Sequence, residues 1–404
     1  MKIGILKETK SPVDNRVALT PLQIRNLRSI YPNLDFFVQP SPTRAFSDRE
    51  YADLGIPVAE NMEECDVLLG IKEANPDTLI PGKHYFFFGH VAKMQLYNKP
   101  LLREMVNKRL TFSDWEYLVD NQGGRLVAFG WYAGVVGVYY TLRGWGMRTG
   151  TALLPEPHID FSKEEIIDNL RNARLAPAKI LLTGKGRVSQ GAQYVLDRIG
   201  ARKVSVKEYL EISSPTGLVY TVAGPAELVK PSDPSAEFDH EEFVAAPEKY
   251  VSDFEKFADT TDILITGHFW SPDQPVYLTK ELCTRPEFRI RMIGDITCDI
   301  EGSIKSTIRS STHASPFYDY NPLTGAEEAP FTSADNITVM AVDTCPNALP
   351  RETSEFFGDK FIATVLPDLI RRGMESEIVN RSSIVVDGKI NSPFSYLENY
   401  LKSN

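Results

Sequence analysis

Lys72 and His90 each close a short apolar run, "DVLLGIK" and "YFFFGH", and Glu73 and Glu116 stand close by similar run ends. A Lys or His that exchanges protons with a substrate amine needs a pKa drawn toward neutrality, and burial or a neighbouring cation supplies that pull. Lys72 beside His90 would have this effect, and Glu73 and Glu116 would limit it. Arg16, in "DNRVALTP", and Arg125, ahead of a long apolar segment, carry forked donors that can hold a carboxylate by two bonds. Either arginine can equally make a structural salt bridge. The chemistry these residues suggest is proton transfer at an amine.

The elements that must position them read as alternating strands and helices. Short apolar runs at 2–6, 35–38, 67–72, 85–88 and 109–112 have strand character. Between the first two, Thr20 is a good N-cap, Pro21 suits the first helical position, and Gln23 completes a capping box. Ile24, Leu27 and Ile30 form the expected buried stripe. This alternation predicts a parallel α/β sheet. In such sheets ligands bind beyond the carboxyl ends of the strands. Those ends fall at Lys7 and Glu8, at Lys72 and Glu73, at His90, and at Asp114 and Glu116, so titratable groups gather on one rim.

Residues 128–146, apolar with closely spaced glycines, predict a long buried helix linking two domains. A second α/β series follows in "AKILLTGKGRVSQGAQYVLDRIGARKVSV": strand, Gly-rich turn, amphipathic helix, strand. Gly184 permits the tight turn, Gly186 lets backbone approach a pyrophosphate, and the following helix offers free N–H groups to that anion. Ser189 stands at the usual third glycine and Gly191 follows two residues later. Gly184, Gly186, Arg187, Val188, Ser189 and Gly191 are the candidate cofactor residues. The strand "KVSVKE" should end near the adenosine ribose, where Glu208 favours NAD and Lys203 and Lys207 favour NADP. Residues 207–260 read as an irregular, exposed excursion, and "DILIT", "RMIGD" and "NITVMAV" as further buried strands.

The formal net charge of −10 argues against nucleic acid or an anionic membrane surface as a partner. Four scattered cysteines without CxxC pairing or nearby histidines suggest reduced thiols, a cytoplasmic setting and no metal site. Neither a signal peptide nor an apolar run of membrane-spanning length is evident.

In order along the chain, "KETK", "DNRVALTP", "GIKE", "FFFGHVAKMQ", "DWEYLVDNQGGRLVAFGWYAG", "TGKGRVSQGA", "GDITCDIEGSI" and "LPRETSEFFG" resemble the saccharopine dehydrogenase (lysine-forming) and lysine–ketoglutarate reductase family, which shares its fold with alanine dehydrogenase and transhydrogenase. The resemblance implies two Rossmann-like, doubly wound domains with parallel sheets and an interdomain cleft. Residues 1–134 and 346–404 would form a discontinuous substrate domain and 135–345 a dinucleotide-binding domain. It implies an oxidoreductase acting on a CH–NH bond, with NAD or NADP as cofactor and an amino acid and a 2-oxo acid as substrates. By the same resemblance Lys72 takes the amine proton, His90 serves imine hydrolysis, and Glu73 and Glu116 tune them. Asp295 lies near the nicotinamide, and Arg16, Lys93, Gln95 and Arg125 contact substrate. An alternative is amination of a small 2-oxo acid in the manner of alanine dehydrogenase, or a nucleotide-binding module without turnover. Residues 207–260 and His268 receive no role.

Overall fold

A computed structural model describes residues 1–402 of the chain. It separates into two compact units, Met1–Phe129 with Leu349–Asn404, and Gly130–Ala348. The first crossing therefore falls at 129/130 rather than 134/135. The reason is the helix Gly130–Thr149, whose whole length packs within the second unit rather than linking the two.

The first unit is built on a sheet of β1 (Lys2–Ile5), β2 (Asp35–Val38), β3 (Val67–Leu69), β4 (His84–Phe87) and β5 (Thr111–Asp114). These run parallel in the spatial order β5-β4-β3-β1-β2. Two antiparallel strands from the C-terminal segment, Ser383–Val386 and Lys389–Ile390, extend the sheet beyond β5. The last parallel strand lies two residues later than the sequence suggests. Arg109 adopts a left-handed conformation (φ 52°) that ends the preceding helical turn, so extended backbone begins only after it.

The helix Pro21–Ile30 has the expected capping box on Thr20 and Gln23. Ile24 and Leu27 are buried, but Ile30 is 64% exposed because it is the last helical residue and the chain turns away at Tyr31. The helix Pro350–Thr364 returns to this unit and packs Phe357 and Phe361 against Trp115.

The second unit carries β6 (Ala178–Thr183), β7 (Arg202–Lys203), β8 (Leu218–Ala223), the small antiparallel pair β9 (Val229–Pro231) and β10 (Tyr250–Ser252), then β11 (Ile263–Thr266), β12 (Met292–Asp295), β13 (Phe317–Tyr320), β14 (Glu327–Glu328) and β15 (Ile337–Met340). Its main sheet runs β14-β13-β15-β12-β11-β6-β8-β7, with all strands in one direction except β13, which is antiparallel to both of its neighbours. Region 207–260 is therefore not an irregular excursion. Its run "LVYTVA" is β8, which lies inside the sheet between β6 and β7, and Phe243, Tyr250, Phe254 and Phe257 join the core.

Two glycines set how the long helix Gly130–Thr149 meets the helix Arg187–Arg198. A Cβ on Gly134 would lie 1.9 Å from the Val188 carbonyl oxygen, and one on Gly191 would lie 1.8 Å from that of Trp131. The backbones touch at both points, which no larger residue permits. Gly191 is thus a packing residue facing another helix. Among the described residues no helix is long and apolar enough to cross a membrane.

Candidate active site

In the first unit the sheet order reverses at β1, with β2 on one side and β3, β4 and β5 on the other. Segments leaving β1 and β3 diverge there, and such a switch point is where open α/β sheets bind ligands. Lys72 comes three residues after β3, His90 three after β4, and Glu116 two after β5. The segment after β1 contributes Glu8, Lys10, Asp14 and Arg16.

Glu73 is the centre of this group. Its carboxylate lies 2.9 Å from His90 Nδ1 and 2.7 Å from Lys10 Nζ, and the side chain is nearly buried. Burial alone would raise its pKa, but the bonds from His90 and Lys10 prevail and hold it down at about 2. Glu116 makes a second cluster, 2.5 Å from Arg125 Nη2 and 3.4 Å from Lys93 Nζ. The heads of Lys93 and Arg125 are about half exposed, so both can reach a solute. Gln95 is exposed, and its carbonyl accepts the Tyr400 hydroxyl at 2.7 Å. Arg16 is buried, with Nε and Nη2 on the two oxygens of Asp14 at 2.9 and 2.5 Å and its guanidinium 4.1 Å from the Phe129 ring centre. The structural salt bridge is thus present at Arg16.

Two carboxylates not counted among the sequence candidates hold these side chains in place. Glu8 accepts the backbone N–H groups of Ile71 (2.7 Å) and Lys72 (2.8 Å), which fixes the turn bearing Lys72. Burial, with Asp14 nearby, pushes its pKa up to about 8 against the pull of those N–H groups. Asp114, fully buried at the end of β5, accepts Gly89 N–H at 3.0 Å and His90 N–H at 3.2 Å on one oxygen, and Glu116 N–H at 2.9 Å on the other. One carboxylate thereby clamps the turns of both His90 and Glu116. It also supports the left-handed backbone of His90 (φ 52°), a conformation costly for a residue with a Cβ. Burial raises Asp114 to about 6. Both were visible as strand-end acids, but a backbone clamp has no signature in the sequence. Lys10, the last residue of "KETK", was missed because its partner is 63 residues away.

The low pKa of Glu73 has a consequence for stability. A carboxyl held at about 2, against an ordinary 4.5, adds stability that is complete above the ordinary value and lost as pH falls toward 2. The amount is on the order of 3 kcal/mol. Urea denaturation from pH 6 to pH 2 should show a steeper loss for the wild type than for Glu73→Gln. Equal slopes would contradict the pairing.

In the second unit the Gly-rich turn follows β6. Gly184 has φ +85° and donates its N–H to Ala223 O at 2.7 Å. A Cβ on Gly186 would meet nothing within 4 Å, so open space lies over the first turn of the helix Arg187–Arg198. Arg187 and Gly186 are exposed, Val188 is half-buried, and Ser189 is buried. These residues fit a dinucleotide pyrophosphate, which needs a clear glycine ahead of a helix N-terminus. Asp295, at the end of β12, is fully buried. Its Oδ1 accepts the hydroxyls of Thr266 and Thr297 (2.6 Å each) and Thr297 N–H (3.1 Å), and its Oδ2 accepts the Thr307 hydroxyl (2.5 Å). It fixes the turn after β12. His268 bridges Thr183 (2.6 Å) and Ser303 (2.8 Å), and burial lowers its pKa to about 4.

Residues 4–136 match the alanine dehydrogenase/PNT N-terminal domain family. Among solved structures an L-alanine dehydrogenase aligns over 99% of this chain and 100% of its own (TM-score 0.66, 16% identity). A transhydrogenase from Sinorhizobium meliloti aligns over 96% of this chain and 100% of its own (TM-score 0.61, 16% identity). Residues 4–136 thus carry the alanine dehydrogenase/PNT N-terminal domain, and the chain has the alanine dehydrogenase fold.

Two sets of curated relatives narrow that class. The alpha-aminoadipic semialdehyde synthase of Arabidopsis thaliana is 30% identical over 100% of this chain, which covers 42% of that protein. The Bos taurus protein of the same name is 27% identical, with 47% of it covered. The chain thus spans less than half the length of these relatives. The saccharopine dehydrogenase [NAD(+), L-lysine-forming] of Yarrowia lipolytica is 25% identical over 91% of this chain and 92% of its own length. Along nearly its whole length this chain is thus similar both to alpha-aminoadipic semialdehyde synthases and to lysine-forming saccharopine dehydrogenases.

Proposed function

We propose that the protein is an NAD(P)-dependent oxidoreductase that interconverts saccharopine with lysine and 2-oxoglutarate. The observation that carries this reading is the Glu73 carboxylate holding His90 at 2.9 Å, one residue from Lys72 in the chain. A bound nicotinamide supplies the hydride acceptor in the oxidative direction and the donor in reverse. Lys72 takes the proton of the secondary amine as the adjacent C–H bond gives up its hydride. Water then adds to the resulting imine with His90 as base. The carbinolamine collapses, its C–N bond breaking to give an amine and a 2-oxo acid. Run backward, the same groups condense the two and protonate the reduced nitrogen.

Glu73 keeps His90 oriented through Nδ1, so Nε2 is the nitrogen that would take a proton from water. Glu116 gathers the half-exposed cations of Lys93 and Arg125, suited to a substrate carboxylate. Arg16, seated on Asp14, and Gln95 complete the substrate-binding set. Asp295 holds the turn after β12, which would lie near a bound nicotinamide. A cytoplasmic location accords with the four free cysteines.

A substrate screen tests this reading. NADH or NADPH oxidation with 2-oxoglutarate should require added lysine, and pyruvate with ammonia should support little turnover. Oxidation that needs only ammonia and a small 2-oxo acid would defeat it in favour of an alanine dehydrogenase-like activity.

A further inference from the structure

The order of strands in the second unit relocates the residues that read the adenosine ribose. A dinucleotide whose pyrophosphate rests on the 184–186 turn places its adenosine half over the strand beside the first one. In many such sheets that neighbour is also the next strand in the sequence. Here it is not. The next strand, β7, lies at the sheet edge, and β8 is the neighbour of β6. The Gly184 N–H bond to Ala223 O ties the turn directly to the end of β8. Of the expected ribose readers, Lys203 lies in β7 and Lys207 and Glu208 lie in the short helix Val206–Glu211 after it, so none stands at the end of the strand beside β6. Glu208 is paired with Arg202 (2.8 Å), and Lys203 donates to Gln193 (2.8 Å).

At the end of β8 stand Gly224 and Glu227. Glu227 Oε2 accepts Gly224 N–H at 2.7 Å, and both carboxylate oxygens lie 3.2 Å from the Nζ of Lys185, the residue between the two glycines of the turn. A Cβ on Gly224 would lie 2.8 Å from Lys185 Cε, so the glycine lets the lysine fold over the strand end. Both side chains keep access to solvent, 60% for Lys185 and 31% for Glu227.

We infer that Glu227 makes this site select NAD over NADP. Its carboxylate is an acceptor for the 2′-hydroxyl of the adenosine ribose. It also engages the two groups best able to hold a 2′-phosphate, the Lys185 ammonium and the Gly224 N–H. A phosphate arriving there meets a carboxylate whose like charge opposes it, and it must compete for a lysine already neutralised. The inference rests on the proposed NAD(P)-dependent activity.

Dissociation constants for NADH and NADPH, measured on the intact chain by nicotinamide fluorescence, test it. The wild type should bind NADH at least tenfold more tightly. Glu227→Ala frees Lys185 and Gly224 N–H, and should erase that preference or reverse it. Glu227→Gln keeps an acceptor for Gly224 N–H, which protects the fold, and should lower the ratio through loss of charge alone. A wild type that binds NADPH as well as NADH, or a ratio unchanged in both variants, would overturn the inference while leaving the proposed activity standing. Binding of neither nucleotide would overturn both.

Discussion

Lys72→Met slows hydride transfer by about 10²–10⁴-fold, the usual contribution of a general acid–base group, and leaves nucleotide affinity close to that of the wild type. Methionine is similar in length to lysine and keeps the apolar stem, so the substitution removes the titrating group with little change in packing. The turn itself is held by backbone, through the Ile71 and Lys72 N–H bonds to Glu8, and these survive the change of side chain. The Gly-rich turn belongs to the other unit, which makes nucleotide binding an internal control. Lys72 is also one of the cations that draw down the pKa of Asp14, behind the larger effect of Arg16, so some adjustment of that carboxylate is expected. Single-turnover nicotinamide absorbance with saccharopine reads the hydride step directly. A variant with near wild-type rates would remove Lys72 from the mechanism.

Gly191→Ala destabilises the second unit by more than the roughly 3 kcal/mol upper end of ordinary overpacking. The added methyl would fall 1.8 Å from a backbone oxygen, and a backbone cannot swing aside as a side chain can. The two helices must separate, and the loss reaches beyond one contact. Gly134 sits in the same crossing, and the first turn of the helix Arg187–Arg198 is the proposed seat of the cofactor pyrophosphate. Nucleotide affinity should therefore fall together with stability. Gly217→Ala is the matched control, because a Cβ there meets nothing within 4 Å. Urea unfolding followed by tryptophan fluorescence compares the two, since Trp131, Trp145 and Trp270 all lie in the second unit. A Gly191→Ala midpoint equal to that of the control would show that the crossing relaxes freely.

Local rules carried the sequence far. The Thr20 and Gln23 capping box, the strand starting at Asp35 and the Gly-rich turn are each decided by residues within a few positions of one another. The rim of titratable groups was legible because every parallel strand offers its carboxyl end to the same edge. What stayed hidden depends on distant partners. Nothing near "LVYTVA" tells that it inserts between β6 and β7, since pairing is settled by which apolar faces meet in the folded sheet. Its polar flanks made the run resemble part of a loop. Glu8 and Asp114 look like any solvated strand-end acids until the backbone N–H groups they accept are known. Ile30 was misplaced because periodicity cannot show where a helix stops covering the core.

The return of residues 349–402 to the first unit bears on how the chain is made. The helix Pro350–Thr364 supplies Phe357 and Phe361 to the core around Trp115, and Ser354 Oγ accepts the Val17 N–H at 2.9 Å. The strand Ser383–Val386 covers the open edge of β5. A ribosome adding about 5–20 residues per second takes roughly 10–40 s to pass through 130–348 before any of these pieces emerges. The second unit is complete in that interval. The first unit waits with an aromatic face and a bare strand edge exposed, the kind of surface that holding chaperones cover. Its half-made state is the aggregation-prone stage of biosynthesis, and substitutions that slow the arrival or docking of the last segment lower yield without touching either binding site.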